Sequence, residues 1–400
     1  MEYLFLYRRI SDIDHIVPII YSLLKNGINP KKIKYTDYLI DKSVINIKND
    51  ERIKFLINQN INFSQSNLIK TYKFENFYKN KNSFFKFFFK TTNFLINKFI
   101  KIFFFFKLLI IVLPSIKRKT IIVDDILYNS IKLLSFIFNV NLYSVPHGIV
   151  LHNGDLKNNN NENYKHLLPN LDNFRYFKKF FFYNNISLDI KKKLYKNFKI
   201  IGSARYCHEW YYKQKEIYPK INNLFDNNNT NILLLIEKNS FFMKNGEKIY
   251  TINEEKMQEV IDYIINNKNY NLIIKSHPSE KIKKINLVKN KNLLIINTDE
   301  QFKTFQLVDY VDVVIGFKTG AICDALIQRK FFLLLDYCHV YEFIIKDMLN
   351  SFNFAASFND FVNKLDNFNN YKVNYDNFLQ NYLNLKRNNI LDEYYRNIVS

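Results

Sequence analysis

The hydrophobic positions of this chain fall into short continuous runs that alternate with segments of helical periodicity. Residues 3–7 form an apolar run typical of a buried strand, and 12–26 have the period of an amphipathic helix that Gly27 closes. Further runs predict strands at 121–127, 141–145, 178–184 and 198–203, with a helix at 130–140. Continuous apolar strands separated by helices are typical of a parallel sheet covered on both faces.

A second series of the same kind begins near residue 231. Its predicted strands are 231–237, 271–275, 292–297, 311–316 and 331–336, and its predicted helices lie near 253–266, 301–308 and 320–329. A chain of 400 residues also favours more than one domain. We therefore predict an α/β protein with two doubly wound, Rossmann-like parallel-sheet domains. The predicted limits are an N-terminal domain at 1–205, a linker at 206–230, a C-terminal domain at 231–375, and a helix at 376–400 that packs back across the junction.

Residues 84–113 break this alternation because they are strongly apolar and also carry five lysines, Lys86, Lys90, Lys98, Lys101 and Lys107. Their uninterrupted apolar runs fall well short of the ~20 residues that a membrane-spanning helix needs. We favour an interfacial amphipathic segment whose aromatic side chains insert into a membrane while its lysines contact anionic headgroups. The main alternative is a buried helix of the first domain whose lysines extend to solvent.

The chain is basic, with 58 Lys and Arg against 37 Asp and Glu and a formal net charge of +21. Such a charge favours an anionic partner, such as a nucleic acid, a nucleotide or a lipid surface. The excess of Lys, Asn, Ile, Phe and Tyr is also the composition that an AT-rich genome imposes, whatever the function. Because the lysines are spread along the chain without a nucleic-acid-binding signature, we expect no nucleic acid partner.

The three cysteines, Cys207, Cys323 and Cys338, leave an odd thiol and lack CxxC spacing. This favours a reducing cytoplasm over a secreted, disulfide-built protein. His208 and His339 follow two of the cysteines, but their spacing does not match that of zinc ligands, so we expect no metal site. The apolar run at the N-terminus is too short for the core of a signal peptide.

The first candidate site residue is a histidine in a turn after a predicted strand. His147 and Gly148 follow Pro146 at the end of the strand at 141–145. Ligands of parallel α/β sheets bind outside the carboxyl ends of the strands, so His147 is placed to face a ligand. An ordinary turn, in which a neighbouring carbonyl satisfies the histidine, is the alternative.

A second histidine turn follows the predicted strand at 271–275. His277 lies between Lys275 and Pro278, and both Lys275 and His277 can donate charge-assisted hydrogen bonds to a phosphate or to a base edge. This turn therefore predicts part of a nucleotide site. A solvated turn without a ligand is the alternative.

The third candidate is a glycine-rich turn that leads from a predicted strand into a helix. It contains Gly316, Lys318, Thr319, Gly320 and Ala321. Glycines let the backbone approach a ligand, and the free N–H groups of a helix N-terminus favour a phosphate. The GK[ST] order of a phosphate-binding ATPase loop is missing, so ATP hydrolysis by that route is disfavoured. A tight turn without a ligand is again the alternative.

The order of these motifs resembles the GT-B glycosyltransferases of bacterial surface polysaccharide biosynthesis. The chain has a strand and PHG, then GSARY at 202–206, then KSHP, then the glycine-rich turn before DAL. The resemblance is greatest to the broad group that includes capsule polysaccharide transferases and CDP-glycerol glycerophosphotransferases. It covers about three quarters of the chain and leaves 28–115 unmatched.

The resemblance implies two domains that face a cleft, with the nucleotide donor held mainly by the second domain and the acceptor by the first. It implies catalysis without a bound metal, with His147, His277 and the turn 316–320 on the donor side, and we expect the two histidines to face each other. Where such proteins commonly carry Ser-Ser or Ser-Thr, this chain has Phe317-Lys318-Thr319, which leaves the identity of the donor open.

The resulting prediction is a cytoplasmic, membrane-peripheral enzyme that transfers a sugar from a nucleotide-activated donor to a glycan or lipid-linked acceptor, with no cofactor. An inverting transfer needs a general base near the acceptor hydroxyl and electrostatic help for the departing phosphate. The candidate catalytic residues are Asp14, His15, Asp124, Asp125 and His147. Alternatives are a CDP-activated polyol-phosphate transferase, a nucleotide-sugar 2-epimerase-like enzyme, a non-catalytic scaffold of the same fold, and a basic nucleic-acid-binding protein.

Overall fold

The structure is a computed structural model that describes residues 2–8, 10–37, 47–65, 83–112, 120–123, 129–138, 140–145, 152–156, 176–183, 197–225, 228–237, 241–244, 247–250, 252–277, 291–296, 302–317, 319–339, 341–343, 352–386 and 389–400. The chain forms two compact units. The first unit comprises Met1–His147, Pro169–Arg205 and Asn389–Ser400, and the second comprises Gly148–Leu168 and Tyr206–Asn388.

Seven strands of the first unit form a parallel sheet. They are β1 (Tyr3–Tyr7), β2 (Ile33–Asp37), β3 (Asn62–Ser64), β4 (Thr120–Val123), β5 (Asn141–Ser144), β7 (Lys179–Phe182) and β8 (Phe198–Ile200). Their order across the sheet is β3-β2-β1-β4-β5-β7-β8, and every neighbouring pair is parallel. The chain winds outward from β1 to β3, returns to β4 beside β1, and winds outward again. The direction of winding therefore reverses between β1 and β4, which is the arrangement of a doubly wound sheet.

The described residues of the first unit form five helices. They are α1 (Ile10–Lys25), α2 (Glu51–Asn58), α3 (Ser83–Val112), α4 (Asn129–Phe138) and α10 (Ile390–Val399). The amphipathic pattern predicted for α1 is confirmed, since its apolar stripe is fully buried, at Ile13, Ile16, Val17, Ile20 and Leu23. Gly27 ends the helix with a φ of 83°, a left-handed conformation that glycine adopts without steric cost.

Residues 28–115, which the family resemblance does not cover, contain β2, α2, β3 and α3. The strands β2 and β3 are short and interrupted by polar residues, so they give little periodic signal. A conventional N-cap starts α2, because the Asp50 carboxylate accepts a hydrogen bond from the Arg52 backbone N–H at 3.0 Å. These elements widen the first sheet on the side of β2.

The helix α3 spans nearly the whole segment predicted to be interfacial, and it is only partly covered. Leu108 is fully buried, whereas Phe94, Phe99, Phe103 and Phe106 are each more than half exposed. A wholly buried helix is therefore not what the structure shows. Among the helices that the structure describes, none is long and apolar enough to cross a membrane.

Six strands of the second unit form another parallel sheet. They are β9 (Thr230–Leu235), β12 (Tyr270–Lys275), β13 (Leu293–Ile296), β14 (Val313–Gly316), β15 (Phe331–Leu334) and β17 (Asn353–Phe354). Their order is β13-β12-β9-β14-β15-β17, and all neighbours are parallel. The winding reverses between β9 and β14. The predicted fold class, two parallel-sheet α/β domains, is confirmed.

The second unit also contains two small antiparallel pairs. One is the hairpin of β10 (Phe241–Lys244) and β11 (Glu247–Tyr250). The other pairs β6 (His152–Leu156) with β16 (Tyr341–Phe343), so the segment after the first histidine turn belongs to the second unit. Sequence patterns do not reveal such a pairing, because its partners are almost two hundred residues apart.

The helices of the second unit are α5 (His208–Ile217), α6 (Glu254–Asn266), α7 (Thr304–Tyr310), α8 (Ile322–Ile327) and α9 (Phe358–Asp366), followed by a π-helix (Phe378–Tyr382). The stretch 206–230, predicted as a linker, contains α5 and belongs to this unit. Trp210 of α5 is fully buried, so this stretch contributes to the packed interior. The helix predicted at 320–329 is shorter, because Gly320 and Ala321 form a turn before it and Arg329, with a φ of 57°, follows its end.

The C-terminal helix α10 packs within the first unit. The Ser22 hydroxyl of α1 donates to the Leu391 carbonyl at 2.6 Å, and the Tyr394 hydroxyl donates to the Gly202 carbonyl at 3.0 Å. The Tyr394 ring also meets Phe181 edge to face at 5.2 Å. The chain thus returns to the first unit at its end and covers the sheet near β7.

Candidate functional site

The carboxyl ends of β12, β9 and β14 bring two of the predicted motifs together in the second unit. In the register of the sheet, Lys275 is opposite Leu235 and Leu235 is opposite Gly316. Since neighbouring strands are about 4.8 Å apart, the backbones of Lys275 and Gly316 are separated by about 10 Å. The edge at β9 and β14 is also where the winding reverses, which is the position where sheets of this type bind ligands.

Lys275 is buried, and its ammonium group already has a partner inside the protein. Its Nζ donates to the Phe302 carbonyl at 3.0 Å, and its own carbonyl accepts from the Ile236 N–H at 3.0 Å. These bonds tie the end of β12 to β9 and to the segment that enters α7. His277 is described and half-buried, whereas Pro278 lies outside the described residues.

Gly316 is required by packing between strands. A Cβ at this position would lie 3.3 Å from the Leu235 Cβ and 3.4 Å from the Phe332 ring, which is tighter than ordinary van der Waals contact. Its backbone does not need a positive φ. The glycine that the sequence suggested for ligand approach thus also permits the close pairing of β14 with β9.

The turn after Gly316 is closed by its own hydrogen bonds. The Thr319 hydroxyl accepts from the Ala321 N–H at 3.4 Å, and the Thr319 N–H donates to the Phe317 carbonyl at 2.7 Å. The Gly320 carbonyl accepts from the Tyr206 hydroxyl at 3.1 Å. Lys318 lies outside the described residues. Because α8 is less than two turns long, the helix contributes only a small dipole to this edge.

The same edge holds a half-buried glutamate paired with a buried histidine, a pair that the sequence patterns did not indicate. The Glu237 Oε2 lies 3.5 Å from the His339 Nε2, and the Phe317 ring meets the His339 imidazole at 5.4 Å. Glu237 follows β9 and His339 follows β15, so both belong to the carboxyl edge. Glu237 ends the predicted strand 231–237, and its position at a strand end is a signal in the sequence. His339 stands out in the sequence only as a neighbour of Cys338.

The three cysteines bear on whether the chain could hold a zinc ion. All three cysteines are buried, and burial raises the pKa of the Cys207 and Cys338 thiols to about 12. Such thiols are not poised to ionise near neutral pH. In the part of the chain that the structure describes, no group of three or more His, Cys, Asp or Glu is placed to hold a metal ion.

In the first unit, Asp14 is held by two arginines. It forms an ion pair with Arg52 and a second one with Arg205, whose Nη1 lies 2.6 Å from the Asp14 Oδ2. Arg52 also pairs with Asp50 at 2.8 Å and is almost fully buried. Because both Asp14 oxygens are engaged by guanidinium groups, Asp14 is suited to hold α1, α2 and the GSARY segment together. It is poorly suited to accept a proton from a substrate.

The other predicted catalytic residues fall into two groups. His15, in α1, is 4% exposed and so is part of the packed interior of the first unit. Asp124, Asp125, His147 and Gly148 lie outside the described residues. Their strands are described, and Val123 of β4 pairs with Ser144 of β5 at the carboxyl edge of the first sheet.

A second polar cluster in the first unit lies within residues 28–115, which the family resemblance does not cover. The Lys107 Nζ of α3 lies 2.9 Å from the Asp37 Oδ1, at the end of β2, and 3.4 Å from the Thr36 Oγ1. The Ser64 hydroxyl of β3 donates to the Thr36 Oγ1 at 2.9 Å. In the sequence, Asp37 ends the segment KIKYTD, and an aspartate at the end of a strand would indicate a candidate site residue. The segment is too polar to be predicted as a buried strand.

Comparisons with known proteins give no match at the level of sequence families. No known family model matches the chain, and no curated protein matches it. Solved structures do match over its full length. The UDP-GlcNAc 2-epimerase from Methanocaldococcus jannaschii in complex with UDP-GlcNAc and UDP has a TM-score of 0.59 and 15% identity, covering 100% of this chain and 99% of its own.

Two further structures match in the same way. The UDP-GlcNAc 2-epimerase from Neisseria meningitidis bound to UDP-GlcNAc has a TM-score of 0.56 at 12% identity, with 100% of both chains covered. The wall teichoic acid polymerase TagF with CDPG has a TM-score of 0.55 at 10% identity, covering 100% of this chain and 89% of its own. At these identities the likeness shows the fold. The predicted resemblance to proteins of the GT-B fold is confirmed at that level.

Proposed function

We propose that this chain is an enzyme that acts on a nucleotide-activated sugar, and that its reaction is transfer of the sugar to a glycan or lipid-linked acceptor. The observation that carries the proposal is the full-length likeness of both units to structures whose names include UDP-GlcNAc, UDP or CDPG. The order of motifs along the chain supports the same class. The nucleotide sugar is a substrate in this proposal, and no cofactor is required.

The donor is proposed to bind at the carboxyl edge of the second unit. The edge joins two predicted motifs in one row, Lys275 and Gly316, beside the point where the winding of the sheet reverses. Gly148, His277, Pro278 and the turn from Lys318 to Ala321 are proposed to contact the donor. Because the Lys275 ammonium already donates to the Phe302 carbonyl, we assign it the role of shaping this edge.

The first unit is proposed to hold the acceptor and the general base. Asp14 is paired with two arginines, so we assign it a positioning role and look for the base among Asp124, Asp125 and His147. Each of these residues follows β4 or β5 in the sequence, and strands of this unit end at the same edge. A base at that edge can take the acceptor proton as the donor phosphate departs.

Attachment to an anionic membrane surface is part of the proposal. Exposed aromatic side chains of α3 alternate with the exposed Lys98 and Lys101, and the Lys98 Nζ lies 4.6 Å from the centre of the Phe94 ring. No acidic residue occurs between Glu75 and Asp124. A helix with inserted aromatic residues and lysines at the headgroup level is suited to an anionic interface.

A second candidate function is epimerisation of a nucleotide sugar at a ring carbon. It is favoured by the two matches to UDP-GlcNAc 2-epimerases, which cover 99% and 100% of those chains, compared with 89% for TagF. A third candidate, transfer of a polyol phosphate from a CDP-activated donor, is favoured by the likeness to TagF with CDPG.

The nucleotide product distinguishes these three reactions. Sugar transfer releases a nucleoside diphosphate, and transfer of a polyol phosphate from a CDP donor releases CMP. Epimerisation releases neither and yields an isomeric nucleotide sugar. Incubation with UDP-GlcNAc or CDP-glycerol, with water or an added polyol as acceptor, followed by ion-exchange chromatography and NMR of the nucleotides, identifies the reaction.

Thermal shift with UDP, CDP, GDP and CMP tests the donor site in the same preparation, because a ligand that binds only the folded protein raises its melting temperature. We expect Gly320→Val to abolish the shift, and Lys268→Ala, an exposed change at the amino end of β12, to preserve it. The proposal is overturned if no nucleotide stabilises the wild-type protein and no nucleotide sugar is consumed.

A further inference from the structure

Three neighbouring strands of the first unit place their polar residues in one cluster. In the register of the sheet, Tyr7 of β1 is opposite Asp37 of β2, and Thr36 of β2 is opposite Ser64 of β3. A chain of hydrogen bonds runs from the Ser64 hydroxyl to the Thr36 hydroxyl at 2.9 Å, and from there to the Asp37 carboxylate at 3.2 Å. The cluster therefore sits at the carboxyl edge, next to the central strand β1.

The fourth member of the cluster comes from α3. The Lys107 ammonium contacts both Asp37 and Thr36, and the Lys107 side chain is 19% exposed, whereas that of Asp37 is fully buried. The lysine thus lies between a buried carboxylate and solvent. A charged donor and several hydroxyl groups are held in a fixed arrangement, because Lys107 is anchored at its ammonium end by two protein oxygens.

Two tyrosines on the strands of the cluster have hydroxyl groups that make no hydrogen bond within the described part of the protein. The Tyr7 and Tyr35 hydroxyls are buried, and neither has a hydrogen-bond partner among the residues that the structure describes. Phe63 is half-buried and stacks on the Tyr7 ring at 6.1 Å. Burial, followed by the charge of Asp37, raises the pKa of Tyr7 well above its usual range. Buried polar groups without partners are uncommon and often mark a site where function requires them.

The charges of the cluster limit the ligands that it can take. Asp37 already has the Lys107 ammonium as its counter-ion at 2.9 Å, so it has no need of a bound metal cation. The pair is neutral overall, so it gives no net attraction to an anion. An uncharged ligand that both donates and accepts hydrogen bonds matches the partly exposed Ser64 hydroxyl and Lys107 ammonium.

We propose that Lys107 and Ser64, held in place by the buried Asp37 and Thr36, bind the hydroxyl groups of a neutral carbohydrate or polyol, which is the acceptor end of the transfer reaction. The inference rests on the proposed function, since a transferase consumes a hydroxyl-bearing acceptor. One sugar hydroxyl accepts from the third N–H of the Lys107 ammonium, and another donates to the Ser64 oxygen, whose own proton is donated to Thr36. Lys107 belongs to the lysine-containing segment 84–113, whereas Thr36, Asp37 and Ser64 lie in no motif that the sequence marked.

Saturation-transfer difference NMR of the full-length protein with glycerol and with N-acetylglucosamine tests the subsite. We expect at least one of the two probes to bind the wild-type protein. Lys107→Met keeps the aliphatic stem and removes the ammonium, so affinity for that probe should fall at least tenfold. Ser64→Ala removes one hydrogen bond from a half-buried position and should lower the affinity about fivefold.

The matched control is Lys54→Met, because Lys54 is an exposed lysine of the same unit that pairs with Glu51 on α2. It should leave probe binding unchanged. Ser64→Ala keeps the test decisive if Lys107→Met does not fold. The inference is overturned if neither probe binds, or if Ser64→Ala binds as the wild type does. Thermal shift by UDP or CDP is measured on the same samples, and its absence from the wild type would instead reject the proposed function.

Discussion

The carboxyl edges of the two sheets are built in different ways. In the second unit, the edge is formed mainly by backbone and packing, with Gly316 pressed against Leu235 and the Lys275 ammonium tied to a carbonyl group. In the first unit, the edge is formed by charged side chains from distant segments. Asp14 with its arginines, and Asp37 with Lys107, are the two examples.

This difference indicates a division of tasks between the units. A backbone-built edge offers a constant shape, which suits the phosphate and base that all nucleotide-activated donors share. A side-chain-built edge can be altered one residue at a time, which suits the part of a reaction that differs between acceptors. Of the five predictions that follow, the first three test whether the first edge depends on charge and the second on packing. The fourth concerns a tyrosine pair of the second unit, and the fifth an exposed aromatic surface of the first.

The largest effect is expected at Arg52. Arg52→Ala should lower the free energy of unfolding by about 3–5 kcal/mol, because it removes an almost fully buried guanidinium group that pairs with both Asp14 and Asp50. Denaturant titration measures the change. Lys54→Ala, which removes an exposed pair on the same helix, should cost less than about 1 kcal/mol. Equal effects of the two substitutions would contradict a charge-built first edge.

The next largest effect is expected at Lys275. Its substitution distinguishes a structural role from direct contact with the nucleotide donor. Lys275→Met should lower the stability by about 1.5–3 kcal/mol, since it removes a charged hydrogen bond to the Phe302 carbonyl from a buried position. Nucleotide affinity should stay within a few-fold of the wild type. If stability is unchanged and the nucleotide-induced thermal shift disappears, Lys275 contacts the donor instead.

Gly316 tests the packing of the second edge. Gly316→Val should cost about 1–3 kcal/mol, because its side chain must displace Leu235 or Phe332 in a packed sheet. The double variant Gly316→Val with Leu235→Ala should recover part of the loss, which a double-mutant cycle measures. Additive effects would show that the two residues do not compete for space.

The second unit should also lose stability at high pH through a tyrosine pair. Burial, with the hydrogen bond to Asp366, raises the pKa of Tyr263 to about 12, and the same causes raise the pKa of Tyr270. A raised pKa favours the neutral hydroxyl in the folded state, so this stabilisation is complete below pH 10 and is lost between pH 10 and 12. Melting temperatures across that range should fall less steeply for Tyr263→Phe than for the wild-type protein.

The smallest effect on stability is expected at the exposed aromatic surface of α3 and α4. Phe136, which is 85% exposed, and Phe99 should each tolerate Ser with a change within about 0.5 kcal/mol. Sedimentation with anionic vesicles should nevertheless weaken, and it should weaken further with salt and with Lys98→Glu and Lys101→Glu. Lys107 is unsuitable for this test because it pairs with Asp37. Unchanged sedimentation of all four variants would reject the membrane surface.

The sequence by itself determined most of the elements of both sheets and the motifs of the second edge. The apolar runs of β9, β12, β14 and β15 stand out because strands buried on both faces are continuously hydrophobic. The turns that contain His277 and Gly320 follow such strands. Local periodicity and turn chemistry act over a few residues, so a single sequence is enough to show them.

Only the tertiary structure decided which charged residues meet. Asp14 and Arg205 are 191 residues apart in the sequence, and Asp37 and Lys107 are 70 apart. The partners in the pairing of β6 with β16, and Glu237 and His339, are also far apart in the sequence. An ion pair leaves no periodic signal in either partner, because one suitably placed side chain on each segment is sufficient. Such pairs exist only once the sheets have formed and the ends of their strands lie side by side.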